Sequence, residues 1–129
     1  MLPDGITTRW QGKGNGMPIY VRLVNFTEKG LREIKDTVKR SEDFKDLAKK
    51  HGVTVKEIIW TDGGYDMVTI IDAPDDTAAS ALALSEATLG HKRVQTLRGY
   101  TAAELEKILE RIDDEPLPPS GLGVILRHA

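Results

Sequence analysis

The sequence predicts an α+β domain with the element order βαββαβ and one more helix at its end. Three observations predict it. The hydropathy pattern between Pro18 and Ile112 alternates between strand-like and helix-like periods in that order. The first and third strand candidates are almost continuously apolar, as central strands are, whereas the second and fourth carry Lys56, Glu57, Arg93, Gln95 and Arg98, as edge strands do. The two halves also echo one another, each a strand followed by a capped helix. This is the ferredoxin-like plan, a split βαβ.

Ile19–Phe26 (IYVRLVNF) opens the fold; its β-branched and aromatic residues favour a strand. Thr27, followed by the acidic Glu28, is a suitable N-cap for a helical segment over 28–50. Leu31, Ile34, Val38, Phe44, Leu47 and Ala48 form its expected apolar side. Ser41 before Glu42 and Asp43 reads as a second cap, so a break is expected near Arg40, and His51-Gly52 ends the segment. Val53–Thr61 is the second strand, Asp62-Gly63-Gly64 a turn, and Tyr65–Ile71 the third strand. Pro74-Asp75-Asp76-Thr77 starts an alanine-rich helix that Gly90 stops. Arg93–Tyr100 is the fourth strand, and Thr101 caps an amphipathic helix over Ala102–Ile112.

The flanks have a different composition. Residues 1–16 hold four glycines and no sustained period, so they read as a flexible arm or leader, with Met17 as an alternative start. Residues 113–129 form a proline-rich linker and a short apolar tail, Gly123–Arg127, suited either to extending a sheet edge or to hanging free. The folded domain is then expected over 17–112.

Composition removes several classes of function. With 18 Lys+Arg against 20 Asp+Glu, the 129-residue chain has no positive field for a phosphate backbone. It has no cysteine, which excludes disulfides, thiolate catalysis and Cys-ligated metals. No apolar run approaches a bilayer span and no secretory signal opens the chain, so a cytoplasmic domain without a membrane partner is expected. The βαββαβ order is shared with RNA-recognition motifs. Here, however, Gly63–Ile70 lacks the basic start and two of the aromatics, and Asp66 adds a negative charge. His51, His91 and His128 are too far apart to make a metal site, so no metal is expected. Gly12–Gly16 has no following Lys-Ser/Thr and leads into a strand, so it is no phosphate loop. Asp72, Asp75 and Asp76 read as helix-start acids. No cofactor motif is present.

Two helices cover only one face of a four-stranded sheet. On the first strand, alternation separates Ile19, Val21 and Leu23 from Tyr20, Arg22, Val24 and Phe26, and both sets are largely apolar. The uncovered set needs a partner. A second copy, packed sheet against sheet in a dimeric α+β barrel, is the expected solution; the final helix or the tail folding over the face is the alternative. The candidate ligand-binding set is Tyr20, Trp60, Tyr65, Asp66, His91 and Arg93, expected to converge near one end of the sheet. There a Tyr or His would move protons and an Arg would hold an anion. Interface packing for Tyr65, a turn acceptor for Asp66 and core packing for Trp60 are the structural alternatives.

At Gly64-Tyr65-Asp66 the chain resembles the GYD domain family, small bacterial and archaeal proteins named for that tripeptide. The resemblance runs from about Pro18 to Thr101. Tyr20-Val21, Leu23, Phe26-Thr27 and Gly30 carry it, followed by Trp60–Asp66, Ala73-Pro74-Asp75-Asp76, Leu89-Gly90 and Thr96-Leu97-Arg98. It implies a ferredoxin-like fold and a dimeric α+β barrel, and no established activity. His91-Lys92 departs from the small polar and apolar pair expected after Gly90. The expected function is a homo-oligomeric small-molecule-binding or regulatory module. Its rival is a cofactor-free enzyme acting on a small organic substrate in the barrel pocket. A partly apolar cavity holding a titratable residue would favour the enzyme, and a filled interior the module.

Overall fold

A computed structural model describes residues 16–112. The arm expected over 1–16, except Gly16, and the linker and tail over 113–129 lie outside them. The elements are β1 (Ile19–Phe26), α1 (Glu28–Arg32), a 3-10 turn (Ile34–Asp36), α2 (Thr37–Lys50), β2 (Thr54–Trp60), β3 (Met67–Asp72), α3 (Asp76–Ala87), β4 (Lys92–Gly99) and α4 (Ala102–Leu109). The strands form one antiparallel sheet in the order β2-β3-β1-β4. The ferredoxin-like expectation holds, with the apolar strands β1 and β3 in the centre and the charged strands at the edges.

The core lies between the sheet and α2 and α3. Tyr20 and Ile71 from the central strands meet Phe44 and Ala48 of α2 and Ala79 and Leu82 of α3. In α3 the buried side is Ala79, Leu82 and Glu86, and in α2 it is Ser41, Phe44 and Ala48; both sets have helical spacing. Asp75 is the N-cap of α3, its Oδ1 accepting from the Ala78 N–H at 2.9 Å. Asp76 in the first turn accepts from the Tyr20 hydroxyl, and Lys56 Nζ stands 3.3 Å from the buried Asp72 carboxylate. Thr101 and Glu104 close a capping box on α4.

The long helical segment departs from expectation. The break falls at Glu33–Asp36, not near Arg40, and Ser41 is an interior residue of α2. Its hydroxyl donates to the Val38 carbonyl, so it cannot act as a cap. The early break rotates the apolar stripe: Leu31, Ile34 and Val38 are exposed, whereas Phe44 and Ala48 are buried. β3 also starts later than expected, at Met67, because Tyr65 and Asp66 remain in the hairpin connection.

Tyr20, Arg22 and Val24 face the helices; Ile19, Val21 and Leu23, with Val68 and Ile70 from β3, share the opposite face. Neither α2 nor α3 lies on that second face. At the edges Ile59 and Leu97 are 44% and 41% exposed on the same side. No residue of α4 is buried, and Leu105, Ile108, Leu109 and Ile112 are all exposed. Among the described residues, the final helix does not bury its apolar side on the sheet.

Candidate functional site

β1 places an arginine at the middle of a largely apolar strand. Arg22 points to the helix side and is 1% exposed. A buried guanidinium has to be paired. Its Nη2 donates to Oε1 of Glu86 on α3, and its Nη1 lies 3.3 Å from Oγ1 of Thr69, the β3 residue opposite it. Its plane stands over the Phe44 ring, 4.6 Å from the centroid. Lys92 opens β4 opposite Phe26 and lies on the same face. Its Nζ donates to the other Glu86 oxygen at 3.1 Å and stands 5.1 Å from the Phe44 centroid. One buried carboxylate therefore serves two cations, and all three groups are at least nine-tenths covered.

The electrostatics follow from that arrangement. Burial pushes the Arg22 guanidinium down to about 10. Burial, together with the charges of Arg22 and Arg40, pushes the Lys92 ammonium down to about 8. Beside this network lies a cleft of about 270 Å³, open on one side. Phe44, Leu47 and Leu89 form its apolar walls, and Arg40, His91 and Lys92 bring polar groups to it. His91 Nε2 is 3.2 Å from Oε1 of Glu33, and this bond holds the Glu33 carboxyl below its usual range.

The loop that presents His91 and Lys92 is locked to α1. The Thr27 N–H donates to the His91 carbonyl at 3.0 Å, and its hydroxyl donates to the Gly90 carbonyl. Thr27 also caps α1, accepting from the Gly30 N–H at 3.1 Å. Gly30 packs so closely that a Cβ there would overlap the His91 carbonyl oxygen. Gly90 turns the chain with φ +80°, a conformation that disfavours residues with a side chain.

The six residues singled out from sequence are not gathered into one pocket. Tyr20 is near the far end of the sheet, where its hydroxyl bonds Asp76; burial and that carboxylate push it up to about 12. The other five are at the end where β4 begins, but on different sides. Trp60 is on the helix side, its Nε1 donating to Thr37 Oγ1 at 3.1 Å. Tyr65 donates to Gln95 on the open face at 3.1 Å, and Arg93 shares that face. Asp66 braces the hairpin: its Oδ2 accepts from the Phe26 N–H and its own N–H bonds the Val24 carbonyl, both at 2.8 Å. His91 is the one member of the set that lines the cleft with Lys92. Sequence reasoning passed over Arg22, Arg40, Glu86 and Lys92. A signal was present for two of them: an arginine within an apolar central strand, and a glutamate among the alanines of α3.

Among the described residues no group of His, Asp and Glu is placed to hold a metal ion, and no helix is long and apolar enough to cross a membrane. Neither a curated protein nor a solved structure matches the chain. The model of the GYD domain matches residues 20–109, well over half of the sequence, and spans β1 through α4 with the Arg22–Glu86–Lys92 network inside it. The chain therefore belongs to the GYD domain family.

Proposed function

We propose that this protein is a cytoplasmic, homo-oligomeric small-molecule-binding module, with the ligand in the cleft beside Lys92 and a second copy covering the open sheet face. The cleft is the observation that carries the reading. Its roughly 270 Å³ is just below the usual range for ligand pockets, and its apolar walls with a few convergent polar groups have the usual composition of such sites. The oligomer is supported by the uncovered apolar residues of β1 and β3 and by the exposed apolar side of α4. Native mass spectrometry of freshly purified protein tests both parts. A dimer or larger assembly carrying a non-covalent small molecule is expected, and Val21→Glu is expected to yield monomers with an unchanged far-UV spectrum. A wild-type monomer without ligand would overturn the reading.

One observation favours a second reading, a cofactor-free enzyme. Lys92 is a titratable amine at an apolar cleft, with an ammonium pKa of about 8, so part of it is neutral and nucleophilic near neutral pH. Such an amine condenses with a carbonyl compound, releasing water and forming an imine. Borohydride reduction in the presence of pyruvate would then label Lys92 irreversibly. An unlabelled Lys92 would leave the binding module alone.

A further inference from the structure

The charges around the cleft do not balance. The groups facing Lys92 are Arg22 from β1, Glu86 from α3, Arg40 and Asp43 from α2, and its neighbour His91. Both oxygens of Glu86 are occupied, one by Arg22 and one by Lys92. Asp43 is 67% exposed and lies 3.8 Å from Lys39, and His91 is taken by Glu33. Arg40 donates to backbone carbonyls, that of Glu33 at 2.7 Å and that of Gly30 at 3.5 Å, and its buried Nε has no acceptor. Three cations, Arg22, Arg40 and Lys92, thus stand near one shielded carboxylate, Glu86, and one solvated one, Asp43, next to walls made by Phe44, Leu47 and Leu89.

We infer that the cleft binds a small organic anion, its carboxylate or phosphate held between Arg40 and Lys92 and its apolar body against Phe44, Leu47 and Leu89. The inference rests on the reading of the cleft as a ligand site and adds the class of ligand. A neutral ligand would leave the repulsion among Arg22, Arg40 and Lys92 in place, whereas an acid group offsets it and offers Arg40 and Lys92 a charged acceptor. An inorganic ion would leave the apolar walls unused. Burial, and after it the charges of Arg22 and Arg40, hold the Lys92 ammonium down to about 8; a bound anion offsets the charge part and is expected to raise it, so that binding takes up a proton at alkaline pH.

Titration calorimetry and amide NMR of the full chain, with benzoate, phenyl phosphate, benzamide and inorganic phosphate as probes, test this. At pH 7, benzoate or phenyl phosphate is expected to bind at least tenfold more tightly than benzamide, shifting the resonances of Phe44, Leu89 and Lys92. Affinity is expected to fall about tenfold per pH unit above pH 8, as Lys92 loses its proton. Lys92→Met and Arg40→Met are each expected to weaken benzoate at least tenfold, with Lys45→Met as the silent surface control. If either variant fails to fold, the wild-type preference for benzoate over benzamide decides by itself. Equal binding of benzamide and benzoate, or a flat pH profile, would overturn the anion while leaving a ligand cleft. Inorganic phosphate binding as tightly as phenyl phosphate would overturn the apolar body. Failure of every probe to perturb the cleft would overturn the anion site; a neutral ligand retained in native mass spectrometry would still uphold the module.

Discussion

Replacing Glu86 by Gln removes one negative charge from between two buried cations and changes almost nothing in shape. In the native protein Glu86 is 5% exposed, and the side chains of Arg22 and Lys92 are 2% and 9% exposed. Water therefore cannot take over the role of the carboxylate. Breaking a buried ion pair by removing one partner typically destabilises by about 3–5 kcal/mol, because a charge is left uncompensated. Here the remaining amide also turns a donor toward a guanidinium or an ammonium. For a domain of this size, whose total stability is of the order of 5–15 kcal/mol, that is about a fifth of the whole or more. Urea unfolding at pH 7, followed by far-UV circular dichroism, is the assay, with a fall in midpoint at unchanged m-value as the expected result. The triple variant Arg22→Met, Glu86→Leu, Lys92→Met is the companion measurement. It removes all the charges together and is expected to recover most of the loss, since an apolar replacement of a buried ionic cluster is often neutral or better. A loss below about 1 kcal/mol for Glu86→Gln would refute the reasoning, because it would mean that solvent reaches the network.

Further predictions rest on separate features. Gly30→Ala forces a Cβ onto the His91 carbonyl and should destabilise by about 1–3 kcal/mol, with cleft residues shifted in NMR spectra; a thermal melt like the wild type's would show that α1 is not held against this loop. Asp66→Ala strands the Phe26 N–H and should lose about 1–3 kcal/mol in urea melts, whereas Asp66→Asn retains an acceptor and should lose less; equal losses would refute the bracing role. Lys92 binds its proton less tightly folded than unfolded, since its ammonium is lowered to about 8 from its ordinary value of 10.5. The unfolded state therefore holds more protons between those values, and stability should rise with pH from about 8 upward, by at most on the order of 3 kcal/mol. Urea midpoints at pH 7 and 9.5 for wild type and Lys92→Met check this, and a parallel pH response in the two proteins would exclude Lys92 as the cause.

Much of the fold was legible because the signals are local. Thr27, Asp75 and Thr101 cap helices through their own side chains, and Gly52, Gly63 and Gly90 adopt the positive φ that their turns require. The break in the first helical segment was misplaced for a reason of the same kind. Ser41 carries the composition of a cap, and only the actual path of the chain determines whether its hydroxyl meets an N–H or the Val38 carbonyl. The site was less legible. Tyr65, Asp66 and Trp60 drew attention as polar or aromatic residues near a turn, yet Asp66 binds backbone in the hairpin and Trp60 reaches Thr37.

By itself, then, the sequence determined the order of elements, the central and edge strands, the capped starts of three helices and the presence of two apolar sheet faces, since period, capping and alternation act over a few residues. The tertiary structure decided which face the helices cover and that Arg22, far along the chain from Glu86 and Lys92, meets them beside Phe44. It also set the surplus charge at the cleft, because the strength of a charge depends on what is excluded around it, and burial is a property of the whole assembled sheet and helices.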